Sequence, residues 1–272
     1  MSAPYLSHFG LREPPLSKDI PDSDLWLPSS KQAVVDDVLL ALSERASVSL
    51  QGEPGVGKTC LLRAMRHRLP QAGYRLTYCH NATLGRRDFY RQLCLALGLS
   101  PSATAAGVFY AVSTHVQELS HERVHPAFLL DEAHLLHQDT LDHLHILLNY
   151  EWDSKPLLSL ILVGLPELGD RLALRRNRSL CSRIHARLSI GPLLPDDTAE
   201  YVRMRLRRAG CDREVFAQDA LALLHEATLG SMREIDRLAT AALREAARKK
   251  RRLVERDVMA RVLEHGAHDK DA

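Results

Sequence analysis

The 272-residue sequence predicts an α/β fold in which a parallel sheet carries helices on both faces, followed by a small all-helical domain. Three observations predict it. Short apolar runs alternate with stretches of helical periodicity as far as Leu193, the pattern of a parallel sheet with helical crossovers. After Pro195 only helical patterns remain. The first apolar run feeds a glycine-rich loop, Gly52-Glu-Pro-Gly-Val-Gly-Lys-Thr59, that leads directly into a helical stretch.

Taken in order, residues 1–30 read as an irregular arm, because Pro14, Pro15, Pro21 and Pro28 forbid a long helix. Ser29 and Ser30 cap a helix whose Val35, Val38, Leu39 and Leu42 form one apolar stripe. A strand follows at Ala46–Leu50, then the glycine loop, then a helix at Cys60–Leu69 and a second strand at Tyr74–Cys79. Helices are expected over Asp88–Leu97 and around Val108, Val112, Val116 and Leu119. A buried strand at Pro126–Leu130 ends in Asp131-Glu132. Leu141, Leu144 and Leu148 mark the next helix, Leu158–Leu165 a fourth strand and Ala186–Leu193 a fifth. Asp197-Thr-Ala-Glu200 and Ser231-Met-Arg-Glu234 have capping-box form, and about four helices fit between Asp197 and His265. The expected organisation is an arm (1–30), a nucleotide-binding α/β domain (31–194), a helical lid (195–266) and a tail (267–272).

Apolar residues make up 45% of the chain, enough for a sizeable core, and the net charge of +2 neither demands nor excludes a polyanion as partner. Cys60, Cys79, Cys94, Cys181 and Cys211 are scattered and lack CxxC spacing, so free thiols are expected and a zinc site is not. The N-terminus lacks signal-peptide form, and Leu157–Leu165 is too short to span a bilayer. A cytoplasmic protein without a membrane partner is the expectation.

The loop fits G-x-x-x-x-G-K-[ST], and each position answers a need of bound phosphate. Glycines let backbone N–H groups converge on the anion, and the helix start adds its positive dipole end. Lys58 supplies a full charge, and Thr59 a hydroxyl for Mg²⁺. Gly52, Glu53, Pro54, Gly55, Val56, Gly57, Lys58, Thr59 and Cys60 are therefore the candidate ATP-binding residues. The strand ending at Leu130 delivers the carboxylate of Asp131 beside the same Mg²⁺, and Glu132 is placed to polarise the attacking water. The letters Asp131-Glu-Ala-His134 also spell a helicase motif, but the chain is too short for two RecA-like domains.

The runs LLDEAHLL, LLNYEWD, LILVGLPEL, SRI and GSMREIDRL together resemble the ExeA-type AAA+ ATPases, relatives of the MuB, TniB and IstB transposition ATPases. The resemblance runs from about Tyr5 to Leu263, and YLSHFGLREPPLSKDI matches the family's arm, with Leu16 where the family usually has Phe. It implies Walker A roles for Lys58 and Thr59 and Walker B roles for Asp131 and Glu132. It also implies that Asn81 holds the catalytic glutamate idle, with His80 as rival, that Arg183 is an arginine finger, and that Arg233 is the lid arginine called sensor 2. Leu165 stands where many relatives carry Gln, so a first sensor is missing there; Asn149 is a substitute candidate.

Between Arg171 and Arg187 lie six arginines and no acid, and Arg86-Arg87 forms a second cluster. Either could face nucleic acid or a neighbouring subunit, and relatives use loops near Arg86 and Arg87 to line a DNA path. Arg248–Arg252 is expected in a loop of the lid. His134, His137, His143 and His145 lack the spacing of a metal site. The functional expectation is a transposition helper that assembles with ATP on double-stranded DNA as a homo-oligomeric ring or filament and recruits a transposase. The alternatives are an ExeA-like secretion-associated ATPase and a nucleotide-switched scaffold.

Overall fold

A computed structural model of the chain describes residues 4–79, 83–100, 104–152 and 154–268. The described chain divides into two compact units. One comprises Lys31–Glu53 and Leu61–Ile190; the other takes the described parts of Met1–Ser30, Pro54–Cys60 and Gly191–Ala272.

The larger unit is built on five parallel strands: β1 (Ser47–Gln51), β2 (Tyr74–Cys79), β3 (His125–Leu130), β4 (Ser159–Gly164) and β5 (Ile184–Ser189), in the order β2-β3-β4-β1-β5. The central strands β3 and β4 are buried along their whole length, which explains their continuous apolar runs. Around the sheet lie α2 (Ser29–Ser43), α3 (Lys58–Arg68), α4 (Arg86–Ala96), α5 (Ala105–His121), α6 (Gln138–Leu147), α7 (Glu167–Ala173) and the short α8 (Arg178–Cys181). Phe89, Leu93, Val112, Phe128, Leu141 and Leu160 belong to one buried cluster of this unit.

The expected α/β fold is present, and the first four strands fall within two residues of the expected ones. The fifth does not: Ala186–Leu193 was expected, and Ile184–Ser189 is observed. The reason lies in its partner. β5 is an edge strand that pairs only with β1, starting at Ser47↔Ile184 and ending at Gln51↔Ser189. Once β1 turns into the glycine loop, β5 has nothing left to pair with beyond the bond from Ile190 N to Gln51 O (2.8 Å).

In the other unit the lid helices are α9 (Pro195–Arg208), α10 (Gln218–Thr228), α11 (Met232–Arg248) and α12 (Arg256–His268). α9 begins with Pro195 at its first position, where a missing N–H costs nothing. The expected cap at Asp197 is displaced: Asp197 sits inside the first turn, and its Oδ2 accepts from Leu194 N at 3.3 Å. The arm is less irregular than its prolines suggest. Pro4 opens a six-residue helix, α1 (Pro4–Phe9), whose Tyr5, Leu6 and Phe9 join Val202, Leu206, Ile235, Leu243 and Val258 in one core. Among the described residues no helix is long and apolar enough to cross a membrane.

Candidate nucleotide site

The carboxyl ends of β3, β4 and β1 lie side by side, and Asp131, Leu165 and Gly52 follow them directly. With strands about 4.8 Å apart, the root of the glycine loop and Asp131 are separated by about 10 Å, with β4 between them. This is the edge where open α/β sheets bind ligands.

The loop itself turns at Gly55 (φ +83°) and Gly57 (φ +99°), a backbone that other residues rarely adopt. A Cβ at Gly55 would lie 2.5 Å from Ser231 Oγ, and one at Gly57 2.5 Å from Met232 Sδ. The start of α11 thus packs on the loop, and Arg233 N donates to Gly55 O at 3.3 Å. Arg233 itself is exposed, so the lid arginine stands beside the phosphate loop with its charge unburied. Lys58 is half-buried at the first position of α3, and Thr59 is exposed next to it. Positive-φ glycines, a lysine and a hydroxyl at a helix start fit a triphosphate with Mg²⁺. Asp131, an acid at the end of a buried strand, has the hard oxygen donors that Mg²⁺ takes.

Asp131 is held from two sides. Its N–H donates to Cys79 O (3.1 Å), and its Oδ2 accepts from the Tyr78 hydroxyl at 3.0 Å. Burial, with the Asp131 charge next, pushes the Tyr78 hydroxyl up to about 12. Glu132 adopts the left-handed conformation (φ 53°, ψ 35°), and its side chain is half-exposed. His134, in the single turn Ala133–Leu135, places Nδ1 3.6 Å from Glu132 Oε2.

Arg183 lies elsewhere. It immediately precedes Ile184, which pairs with Ser47 at the start of β1. Four steps of about 3.3 Å separate Ser47 from Gln51, so Arg183 stands about 13 Å or more from the root of its own glycine loop, at the opposite end of the sheet. There it shares a cleft of about 500 Å³ with Arg45, Lys155 and His185, and its Nη1 donates to Ser179 O at 3.0 Å. Asn81 and its rival His80 lie outside the described residues. Asn149 is exposed just past α6.

Residues 41–172 match the family described as AAA domain. Over 258 residues the chain is 32% identical to general secretion pathway protein A of Aeromonas hydrophila, covering 93% of this chain and 47% of that protein. The chain thus spans about half the length of this relative. Among solved structures it is similar to Drosophila ORC bound to DNA (TM-score 0.71, 18% identity, 96% of this chain and 65% of that one). It is also similar to the Aeropyrum pernix ORC1 protein in complex with DNA (0.67, 20%, 92% and 68%) and to Cdc6p of Pyrobaculum aerophilum (0.65, 19%, 88% and 67%). The chain carries an AAA domain over residues 41–172. The secretion relative supports the ExeA-type resemblance within that family.

Around Asp131 and Glu132 of this AAA domain, Tyr78, His134 and Arg171 make contacts that the sequence did not disclose. Tyr78 is 51% exposed while its neighbours Thr77 and Cys79 are buried, so strand alternation puts a tyrosine on the face where Asp131 emerges. Arg171 belonged to a supposed basic face. Instead its guanidinium donates to His134 O and to Leu136 O (2.6 Å). Arg176 pairs with Asp142 at 3.0 Å, and Arg187 donates to Cys181 O at 3.1 Å. Several arginines of the Arg171–Arg187 stretch therefore serve the unit's own structure. The lid run behaves likewise: Arg248 pairs with Glu245 (2.8 Å) and Arg251 with Asp257 (2.8 Å). No group of His, Cys, Asp and Glu among the described residues is arranged to hold a metal, which includes the four clustered histidines.

Proposed function

We propose that the chain is the ATP-hydrolysing module of a secretion-associated machine of the ExeA type, working as an assembly of several copies. Lys58 with the backbone of Gly52–Cys60 binds the triphosphate, and Thr59 and Asp131 hold Mg²⁺. Glu132 takes a proton from the attacking water. Arg233 reads the nucleotide from the lid, and Arg183 serves the nucleotide of a neighbouring copy. Asn81 is proposed to restrain Glu132 until a ligand binds. The observation that carries this reading is the 32% identity to general secretion pathway protein A, which extends over 93% of the chain and so reaches into both the lid and the arm.

This support moves the secretion reading ahead of the transposition helper that the sequence put first, and a relationship to the MuB and TniB ATPases is a proposal only. In the cell, loss of the gene is expected to retain exported proteins inside. Wild type should restore export, and Glu132→Gln should not. Normal export in the deletion strain would remove the reading.

A second reading, ATP-dependent binding of double-stranded DNA without sequence preference, is supported by Arg86 and Arg87, both exposed at the start of α4. Replacing both with Ala should then weaken binding of a labelled duplex, measured by fluorescence anisotropy, and leave ATP binding untouched. Phosphate contacts would make that binding fall with salt. A transposase partner belongs to this reading alone.

A further inference from the structure

The turn after Glu132 makes contacts that phosphate binding and water activation leave unused. His134 is nearly buried, its side chain 11% exposed. Its Nδ1 accepts from Leu165 N at 3.4 Å, directly past the end of β4, and the same nitrogen faces Glu132 Oε2 at 3.6 Å. The backbone around the ring is fixed by Arg171, which donates to the carbonyls of His134 and Leu136. Arg171 O in turn accepts from Asn177 Nδ2 at 2.6 Å. The same edge of the ring meets Gly164, where a Cβ would lie 3.2 Å from both His134 N and Nδ1. Any side chain at Gly164 would push ring and strand apart.

We propose that His134 is a positioning residue that couples the tip of β4 to Glu132, a role that rests on Glu132 being the water-activating base. Leu165 has an apolar side chain and offers no polar group of its own to the reaction, but its N–H reports where the strand tip lies. A neutral imidazole nitrogen carries either a lone pair or a proton. While Leu165 N–H occupies the lone pair of Nδ1, the ring proton is on Nε2, so Nδ1 has none for Glu132. The carboxylate then stays free to take the proton of water, and the ring, anchored at Leu165 N–H, limits where it can swing. If the strand tip withdraws, the ring proton can exchange through solvent from Nε2 to Nδ1. Nδ1–H would then donate to Oε2 and hold the carboxylate idle. The two contacts of Nδ1 exclude each other, which makes the ring a two-position link.

The test compares His134→Ala and His134→Asn, alone and with Glu132→Gln, in the full chain. An asparagine Oδ1 still accepts from Leu165 N–H, so the anchor on the strand tip is kept. His134→Ala empties the space beside the Glu132 carboxylate, so it is expected to bind a fluorescent ATP analogue normally and to lose up to about 10²-fold in kcat, as misplacing a reacting group does. His134→Asn is expected to keep most of the turnover. In the Glu132→Gln background, His134→Ala should add no further loss. Wild-type kcat in His134→Ala overturns the proposal. So does an Asn variant as slow as the Ala variant at an unchanged melting temperature, and that comparison with wild type decides the matter alone if the Ala variant does not fold. A loss in the Glu132→Gln background equal to that in wild type also overturns it, because His134 would then act on something else. Unimpaired turnover in Glu132→Gln by itself is a separate result, the failure of the base assignment.

Discussion

Glu132 adopts a backbone conformation that costs a non-glycine residue about 1–3 kcal/mol, and the strain sits next to the reacting water of the proposed mechanism. Glu132→Gly should relieve that strain and hold or raise the melting temperature while abolishing turnover. A lower melting temperature would show that the carboxylate, not the backbone, dominates stability there. Lys58→Ala should abolish ATP binding with the fold intact, checked with a fluorescent ATP analogue. At Asp131 the Tyr78 hydroxyl donates to a charged acceptor, a bond worth about 1.5–3 kcal/mol. Tyr78→Phe should therefore raise the Mg²⁺ concentration needed for half-maximal hydrolysis by about tenfold or more, with each 1.4 kcal/mol worth tenfold. An unchanged Mg²⁺ titration would remove Tyr78 from the metal's surroundings. These residues differ in how far the sequence disclosed them. Gly52–Thr59 and Asp131-Glu132 are bound to fixed spacings by phosphate and metal chemistry, so they are visible as motifs. Tyr78 reaches Asp131 only through the pairing of β2 with β3, Cys79 lying opposite Leu130, and His134 reaches Leu165 across 31 positions. No spacing rule encodes either contact.

At the scale of elements, the arm and the lid are tied by one buried side chain. Arg205 on α9 donates to Pro15 O (2.8 Å), to Ser17 O and to the Tyr201 hydroxyl (2.9 Å). Tyr201 donates onward to Asp236 Oδ1 at 2.8 Å. Arg205→Met should cost about 1–3 kcal/mol for each arm carbonyl left unpaired, measured by urea unfolding. Burial pushes the Asp236 carboxyl up to about 6, against the opposing pull of its Tyr201 bond and of Arg205. Its ordinary value is 3.8, so the folded state binds more protons than the unfolded state between about 3.8 and 6. Asp236 therefore favours the fold most below 3.8, and that contribution is lost as pH rises through about 6. Asp236→Asn should flatten the fall in stability across this window and raise stability at pH 7.5 relative to wild type. A steeper fall in the variant would contradict the buried, proton-retaining carboxyl. The helices carrying this network were legible from capping and periodicity, because each buries one stripe. The network itself was not, since no spacing distinguishes Arg205 from the other arginines of α9, and only the packing of the arm against α9 makes it a buried donor.

For the whole molecule, the sheet register separates two parts that the proposed mechanism must bring together. Arg183 enters at the start of β5, opposite Ser47, while the glycine loop leaves after Gln51, so within one chain they mark opposite ends of the same pair of strands. An arginine side chain does not span that length. If Arg183 meets the charge that develops on a γ-phosphate, the phosphate must belong to another copy, and Arg183 shares its cleft with Arg45 and with Lys155, which pairs with Glu151 at 2.7 Å. Trans arginines in P-loop enzymes contribute about 10³- to 10⁵-fold to kcat. Arg183→Ala should lose activity on that scale while still binding ATP. Lys58→Ala should be inactive because its own loop binds no nucleotide, yet it still carries Arg183. Mixing the two inactive variants should therefore restore part of the activity, because a Lys58→Ala copy can present its arginine to the loaded site of an Arg183→Ala copy. The restored rate should pass through a maximum as the mixing ratio is varied and should vanish on dilution below the concentration at which copies associate. Absence of rescue at every ratio, with association of the mixed variants demonstrated by sedimentation, would remove Arg183 from the neighbour's site and leave each copy to hydrolyse ATP with its own residues.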